Sequence, residues 1–288
     1  MIPGPFDYHR PSTLGEAAGL LSSLGDDARV LAGGHSLIPM MKLRFAQPAQ
    51  LVDLSGVDEL KGAAADGGDI VVRAMTTQHD VIASELLAKT VPILRETALL
   101  IADPQVRYMG TIGGNAANGD PGNDMPAVMI ALDATYVLSS VGGERRVAAR
   151  EYYHGAYDTA ARHDEILSSI RIPTPRTGHG WAYEKLKRKV GDYATAASAV
   201  IVNVEGGRIA HCAIALTNVA DTPLYAEEAS KLLVGAASGD PPIAQVARAA
   251  EAIASPTADG RGSAEYRAKM AGIMTARALK RALARAAQ

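Results

Sequence analysis

AGGHS at residues 32–36 and TIGGN at residues 111–115 are the two stretches that decide how this chain folds. The first follows the apolar segment 28–32, which predicts a buried strand, and the second lies in residues 103–126, which predict one long loop. Consecutive glycines let backbone N–H groups approach an anion, and Ser, Thr and Asn side chains add donors. The pair therefore suits the two phosphates of a dinucleotide, although each stretch alone also suits a tight turn.

The sequence around the first stretch predicts a small unit of strand, helix, strand and strand over about residues 1–55. Thr13 and Glu16 have the spacing of a helix capping box, an apolar stripe follows them, and Gly25 stands where a glycine would end the helix. The short apolar segment 50–54 predicts another buried strand. This unit places the first glycine stretch directly after a strand.

The remainder predicts further strands and helices, with a linker-like segment at residues 174–180. Before the linker, the predicted elements are strands at 70–74 and 166–173, helices at 77–89 and 92–101, and a hairpin at 135–149. After it, a strand at 181–188 and a hairpin turned at Gly206 and Gly207 precede three helical segments. We therefore expect two domains, residues 1–176 and 177–288, the first divided at about residue 55.

Composition excludes several classes of protein. The 288 residues carry a net charge of only −2, so no broad basic field is available to nucleic acid. The single cysteine, Cys212, excludes an internal disulfide and an iron–sulfur cluster held by this chain alone, and the histidines lack metal-ligand spacing. The absence of a membrane-spanning apolar run or a signal peptide pattern leads us to expect a cytoplasmic protein.

The better-known nucleotide motifs are absent as well. No G-x-G-x-x-G opens a helix, which argues against a Rossmann fold, and no G-x-x-x-x-G-K-[ST] marks a P-loop. Cys212 lies in an apolar segment, so burial is a simpler interpretation of this residue than nucleophilic catalysis. We therefore expect neither a catalytic residue nor a metal site in this chain.

Four stretches together resemble the FAD-binding subunit of the molybdenum hydroxylases, the xanthine dehydrogenase family. They are AGGHSLIPMMKLR (32–44), ADPQVRYMGTIGGNAANGDPGNDMPA (102–127), DEILSSIRIP (164–173) and WAYEKLKRKVGDYA (181–194). Within that family, the sequence resembles in particular the medium subunits of aerobic carbon monoxide dehydrogenases, through residues 32–48 and 183–196. The resemblance implies an α+β fold. A two-subdomain FAD-binding domain of the vanillyl-alcohol oxidase (PCMH) type precedes a smaller α+β domain with an antiparallel sheet and helices.

The resemblance also implies which residues bind FAD. It assigns the pyrophosphate to Ala32, Gly33, Gly34, His35, Ser36, Thr111, Ile112, Gly113, Gly114 and Asn115. It assigns contacts with the flavin or its ribityl chain to Asp124, Leu167 and Lys185, with Ile101 facing the ring; Tyr193 is a further candidate beside the ring.

The residues themselves leave alternatives open at each position. Asp124 would accept hydrogen bonds from hydroxyl groups or cap a helix before Pro126. Lys185 would stabilise a reduced, anionic flavin or lie on a solvated strand face, and Tyr193 would cover the ring or be a buried structural residue. His35, between Gly34 and Ser36, is more easily understood as positioning backbone than as an acid or base.

The function implied by the resemblance is electron transfer, without activity of the chain alone. A large partner subunit would hold a molybdenum-pterin cofactor and a small one two [2Fe–2S] clusters, in a dimer of heterotrimers. Electrons would pass to FAD, which this chain would hold non-covalently, and then to an external acceptor, for which a quinone is the candidate. The complex would be associated with the inner face of the membrane. The alternatives are the flavin subunit of another hydroxylase (aldehyde, N-heterocycle or aromatic acyl-CoA) and a non-redox nucleotide-binding module.

Overall fold

The computed structural model describes residues 2–286, so residues 1, 287 and 288, at the outer ends of the two predicted domains, lie outside the described part. The N-terminal unit is a parallel three-stranded sheet, ordered β1–β3–β2, with two helices. Its elements are β1 (Asp7–His9), α1 (Leu14–Leu24), β2 (Ala28–Leu31), α2 (Leu37–Lys42) and β3 (Gln50–Asp53). The Thr13 hydroxyl accepts a hydrogen bond from the Glu16 N–H, and Gly25 (φ 65°) ends the helix, as predicted. The predicted capping box is only half formed, because the Glu16 carboxylate accepts from the N–H of Ser12 at 2.8 Å.

The middle unit is an antiparallel five-stranded sheet, ordered β4–β5–β10–β6–β7, covered by short helices. Its strands are β4 (Ala63–Asp66), β5 (Asp69–Arg73), β6 (Thr135–Ser140), β7 (Gly143–Ala148) and β10 (Ile166–Pro173), with a separate hairpin of β8 (Tyr153–Gly155) and β9 (Asp158–Thr159). Its helices are α3 (Gln78–Ala83), α4 (Glu85–Thr90), α5 (Pro92–Leu100), α6 (Pro104–Met109), α7 (Ile112–Ala117) and α8 (Asp124–Ala131).

Two sequence predictions in this unit are wrong. The single helix predicted at 77–89 is two helices, because Ser84 leaves helical geometry and its hydroxyl caps α4. The long loop predicted at 103–126 contains α6, α7 and the start of α8. The side chains of Asp103 and Thr111 cap α6 and α7, so the polar residues that suggested a loop instead begin helices.

The C-terminal unit is an antiparallel sheet, ordered β11–β12–β13–β14, with helices on one face. Its elements are β11 (Gly180–Leu186), β12 (Ala196–Glu205), β13 (Arg208–Thr217), β14 (Leu224–Tyr225), α9 (Glu227–Lys231), α10 (Ile243–Ala252) and α11 (Ala264–Ala286). The predicted hairpin turns at Gly206 and Gly207, both with positive φ. Mixed helices and antiparallel sheets confirm the predicted α+β class.

Packing joins the middle and C-terminal units through α8. Every residue of α8 is buried, and the helix packs against α5 on one side and against β12 and β13 on the other. The core of the middle unit therefore continues into one face of the C-terminal sheet, while α9, α10 and α11 cover the other face. The predicted division at residue 176 falls between β10 and β11, and it remains a proposal. No helix within residues 2–286 is both long and apolar enough to cross a bilayer.

Candidate functional site

A cavity of about 770 Å³ opens where the three units meet, a size within the usual range of roughly 300–1,000 Å³ for ligand pockets. Twelve of the fifteen predicted FAD-binding residues line it. They are Ala32, Gly33, Gly34, His35, Ser36, Ile101, Thr111, Gly114, Asn115, Asp124, Lys185 and Tyr193. Ile112, Gly113 and Leu167 do not line it. The fold thus brings together residues that lie up to about 160 positions apart in the chain.

The first glycine stretch connects β2 to α2 along the cavity wall. Gly34 has a φ of 74°, a conformation that favours glycine, and the N–H groups of Gly34, His35 and Ser36 find no acceptor within residues 2–286. A Cβ added at Gly33 would lie 2.2 Å from the Met109 carbonyl oxygen. The stretch therefore presents free backbone donors and also packs closely against the end of α6.

The second glycine stretch begins α7 rather than lying in a loop. The Thr111 hydroxyl accepts a hydrogen bond from the Gly114 N–H at 3.0 Å. The N–H groups of Ile112 and Gly113 donate to the carbonyls of Thr76 and Ala74, and a Cβ at Gly113 would lie 2.4 Å from that of Ala74. Ile112 and Gly113 thus hold α7 against the strand end, while Thr111, Gly114 and Asn115 face the cavity.

Asp124 and Lys185 form a buried ion pair at the cavity wall. The Lys185 Nζ lies 2.7 Å from Asp124 Oδ2, and the side chains are only 1% and 6% exposed. Tyr183 donates to the other carboxylate oxygen at 2.6 Å. Burial raises the pKa of Asp124, while Lys185 lowers it. Lys185 also donates to the Leu100 carbonyl at the end of α5, where the helix dipole favours a cation.

These contacts exclude one of the alternatives left open for each of Asp124 and Lys185, and their flavin contacts remain predictions. The solvated strand face suggested for Lys185 is wrong, because its side chain is almost completely buried. Asp124 is not an N-cap: it is the first residue of α8, and Asn123 occupies the capping position. Both charges are therefore held in place beside the cavity before any ligand binds.

The three remaining predicted residues differ in how deeply they are buried. Ile101 is buried at the end of α5 and lines the cavity. Tyr193 is 42% exposed with its ring against Gly122, so the alternative of a buried structural tyrosine is wrong. Leu167 is buried in the core of the middle unit on β10, away from the lining, and its flavin contact remains a prediction.

Several residues that line the cavity were not predicted from the sequence. Gln78 and Asn118 line the cavity with buried side-chain amide atoms that lack any hydrogen-bond partner within residues 2–286. The segment following β8 also contributes to the wall, including Tyr157, Arg162 and Glu165. No local pattern marks these positions, since Gln78 occupies the first position of a helix, which usually faces solvent. Free amides, unpaired polar atoms and a buried cation fit a ligand rich in phosphate and hydroxyl groups.

Cys212 and the described acidic and histidine residues offer no rival site. Cys212 is buried on β13, where burial raises its pKa to about 12, so a thiolate nucleophile is disfavoured. Within residues 2–286, no group of three or more His, Cys, Asp or Glu side chains is arranged to hold a metal ion. The cavity is therefore the site to which a function should be assigned.

The fold and cavity define a class of protein that holds a ligand rich in phosphate and hydroxyl groups where three α+β units meet. Residues 4–175 match the family model described as the FAD-binding domain in molybdopterin dehydrogenase, and residues 181–282 match that of the CO dehydrogenase flavoprotein C-terminal domain. The chain belongs to this family of FAD-binding subunits. It is thus an FAD-binding subunit of a multi-subunit oxidoreductase.

Individual relatives are similar over their whole length. The carbon monoxide dehydrogenase medium chain of Afipia carboxidovorans is 62% identical over 286 residues, covering 99% of each chain. A chain in the structure of reconstituted CO dehydrogenase from Oligotropha carboxidovorans superimposes with a TM-score of 0.97 at 61% identity, covering 99% of this chain and 100% of that one. Quinoline 2-oxidoreductase from Pseudomonas putida 86 has a chain with a TM-score of 0.94 at 33% identity, with both chains fully covered.

Proposed function

We propose that the chain is the electron-transferring medium subunit of an aerobic carbon monoxide dehydrogenase. The observation that carries this proposal is the 62% identity to the Afipia medium chain over nearly the full length of both. The competing candidate is the flavin subunit of a hydroxylase acting on another substrate, such as an N-heterocycle. The quinoline enzyme keeps the same fold at much lower identity, so the fold by itself favours neither substrate.

In this proposal the cavity binds FAD through residues of all three units. The free N–H groups of Gly34, His35 and Ser36 donate to the pyrophosphate, with Thr111, Gly114 and Asn115 on its other side. Ala32 and Gly33 allow the close approach, while Ile112 and Gly113 support α7 from behind.

The other end of the cavity suits the flavin ring and the ribityl chain. Lys185 places a positive charge there, and Asp124 keeps that cation oriented. Ile101 and Tyr193 bound the ring on its apolar and solvent sides. The contact proposed for Leu167 requires the flavin to approach the core of the middle unit, in which this side chain is buried. When bound, FAD supplies the electron relay, because its redox chemistry is that of the cofactor itself.

The proposed partners rest on the similarity to carbon monoxide dehydrogenase medium chains. A large subunit would hold the molybdenum-pterin cofactor and oxidise the substrate, and a small subunit would hold two [2Fe–2S] clusters, in a dimer of heterotrimers. We propose a quinone as the external acceptor and a cytoplasmic complex associated with the inner face of the membrane. Reduction of a soluble quinone by the complex, with and without added membrane vesicles, tests both proposals.

The experiment for the function uses the complete complex. The chain is co-produced with its iron–sulfur and molybdenum subunits, and acceptor reduction is measured with carbon monoxide, quinoline or an aldehyde as substrate. We expect activity with carbon monoxide and none from the purified chain alone. Activity with another substrate only would replace the first candidate by the second, and substrate oxidation by the chain alone would refute an electron-transfer role.

We also propose that FAD is bound non-covalently. Cys212 is buried on β13 and does not line the cavity, so no thiol is available there to attach the flavin. His35 and His163 do line it, which makes the point testable. After acid precipitation of the loaded protein, the flavin is expected in the supernatant. Flavin that stays with the precipitated chain would contradict this proposal.

A further inference from the structure

The side chain of Gln78 is buried and unsatisfied at the cavity wall. The residue is 1% exposed, and neither its Nε2 nor its Oε1 has a hydrogen-bond partner within residues 2–286. Leaving a buried amide unpaired is costly, and folded proteins rarely do so without a bound water, ion or ligand. Gln78 also lines the cavity, so a ligand bound there is a candidate partner for the side-chain amide.

The backbone around Gln78 holds it firmly. Thr77 and Asp80 form a complete capping box at the start of α3, with the hydroxyl and carboxylate each accepting from the other's N–H. The Gln78 N–H donates to the Gly110 carbonyl at 2.8 Å. These bonds fix the backbone of Gln78, while its side-chain amide, which makes no hydrogen bond within residues 2–286, can turn to a ligand in the cavity.

The Gly110 carbonyl that accepts from the Gln78 N–H lies where the two glycine stretches meet. Gly110 immediately precedes Thr111, and a Cβ added at Gly33 would lie 2.8 Å from the Gly110 Cα. Gln78 therefore lies beside the proposed pyrophosphate position. A phosphate oxygen would satisfy its Nε2 but not its Oε1, which needs a donor. The ribityl chain of FAD, attached directly to the pyrophosphate, carries hydroxyl groups that can supply one.

We propose that Gln78 binds FAD at the junction of pyrophosphate and ribityl chain. Its Nε2 donates to a phosphate oxygen, and its Oε1 accepts from a ribityl hydroxyl. This proposal rests on the proposed function, because it takes FAD as the ligand. It adds to the glycine stretches a side chain that distinguishes a flavin dinucleotide from a ligand carrying phosphate alone.

The test compares FAD affinity with the stability of the flavin-free protein. Full-length chain freed of flavin is titrated with FAD, followed by quenching of flavin fluorescence, and unfolded in urea. Gln78→Met keeps the length of the side chain and removes its polar atoms. We expect the Kd for FAD to rise by about tenfold or more, since two hydrogen bonds to the ligand are lost. The flavin-free variant should be at least as stable as the wild type, because no unpaired amide is buried.

Thr97→Val is the matched control. The Thr97 hydroxyl is also fully buried and unpartnered within residues 2–286, but it lies on α5 and does not line the cavity. This variant should leave the Kd for FAD unchanged. If Gln78→Met binds FAD as tightly as the wild type, the amide is satisfied by water and the proposal is wrong. If it loses stability without flavin as well as affinity, Gln78 has a structural role, which also overturns it. Failure of the wild type to bind FAD would instead refute the proposed function on which this inference rests.

Discussion

Replacing Lys185 with Met should test whether the charges beside the cavity depend on each other. The change removes the ammonium group 2.7 Å from Asp124 and leaves that carboxylate with Tyr183 as its remaining side-chain partner. Both side chains are almost fully buried, so the carboxylate is left largely desolvated when the cation is removed. The expected result is a large loss of stability.

The size of the loss follows from the burial of the pair. Removing one partner of a buried ion pair typically costs about 3–5 kcal/mol, because the other charge is left uncompensated. Domains of this kind are stable by only about 5–15 kcal/mol in total. The unfolding equilibrium constant should therefore rise by about a hundredfold or more, at roughly 1.4 kcal/mol per factor of ten.

The loss should also depend on pH. Burial raises the pKa of Asp124 above its ordinary value of 3.8, and Lys185 opposes that rise in the wild type. Without Lys185, the folded state holds a carboxyl whose pKa is raised above that of the unfolded chain. Stability from such a group is present below the unfolded pKa and is lost as pH rises through the folded pKa. The deficit of Lys185→Met should therefore grow as pH rises above the ordinary pKa of 3.8 and level off only above the raised pKa of the folded state.

Urea unfolding of the flavin-free chain, followed by circular dichroism at several pH values, measures these effects. Lys231→Met is the control, since Lys231 pairs with Glu227 on the surface and its loss should hardly matter. The double variant Lys185→Met with Asp124→Asn should recover much of the deficit, because no unpaired charge remains. The reasoning is refuted if Lys185→Met is no less stable than Lys231→Met at neutral pH.

Three further outcomes are expected. Gly33→Val should abolish FAD retention, because a Cβ at this position would lie 2.2 Å from the Met109 carbonyl oxygen. Visible flavin absorption per chain measures retention, and the control Gly19→Val, which has open space around its Cβ, should keep the flavin. Cys212 should resist a thiol reagent in the native chain and react once unfolded in urea, since burial raises its pKa to about 12; rapid native reaction would contradict its burial. Arg267→Met should lower the free energy of unfolding by about 3 kcal/mol or more, because three backbone carbonyls lose their hydrogen-bond donor. An unchanged midpoint of urea unfolding would contradict this prediction.

The glycine stretches and most helices and strands could be predicted because they depend on short stretches of sequence. The helix after Thr13, the hairpin at Gly206 and Gly207, and the strand at 166–173 each depend on residues close together in the chain. The errors at Ser84 and across residues 103–126 arose where the same polar residues serve equally as loop formers and as helix caps. Local sequence does not decide between those two roles.

By itself, the sequence determined the α+β class, the family and the two stretches that meet at the cavity. Only the tertiary structure decided which neighbouring residues face it: Gly114 lines the cavity, while Gly113 packs against Ala74. It also paired Lys185 with Asp124, 61 positions apart, and buried Gln78 without a partner. The physical reason is that periodicity reports the environment of a segment, whereas the pairing and desolvation of single polar groups depend on which distant segments pack against them.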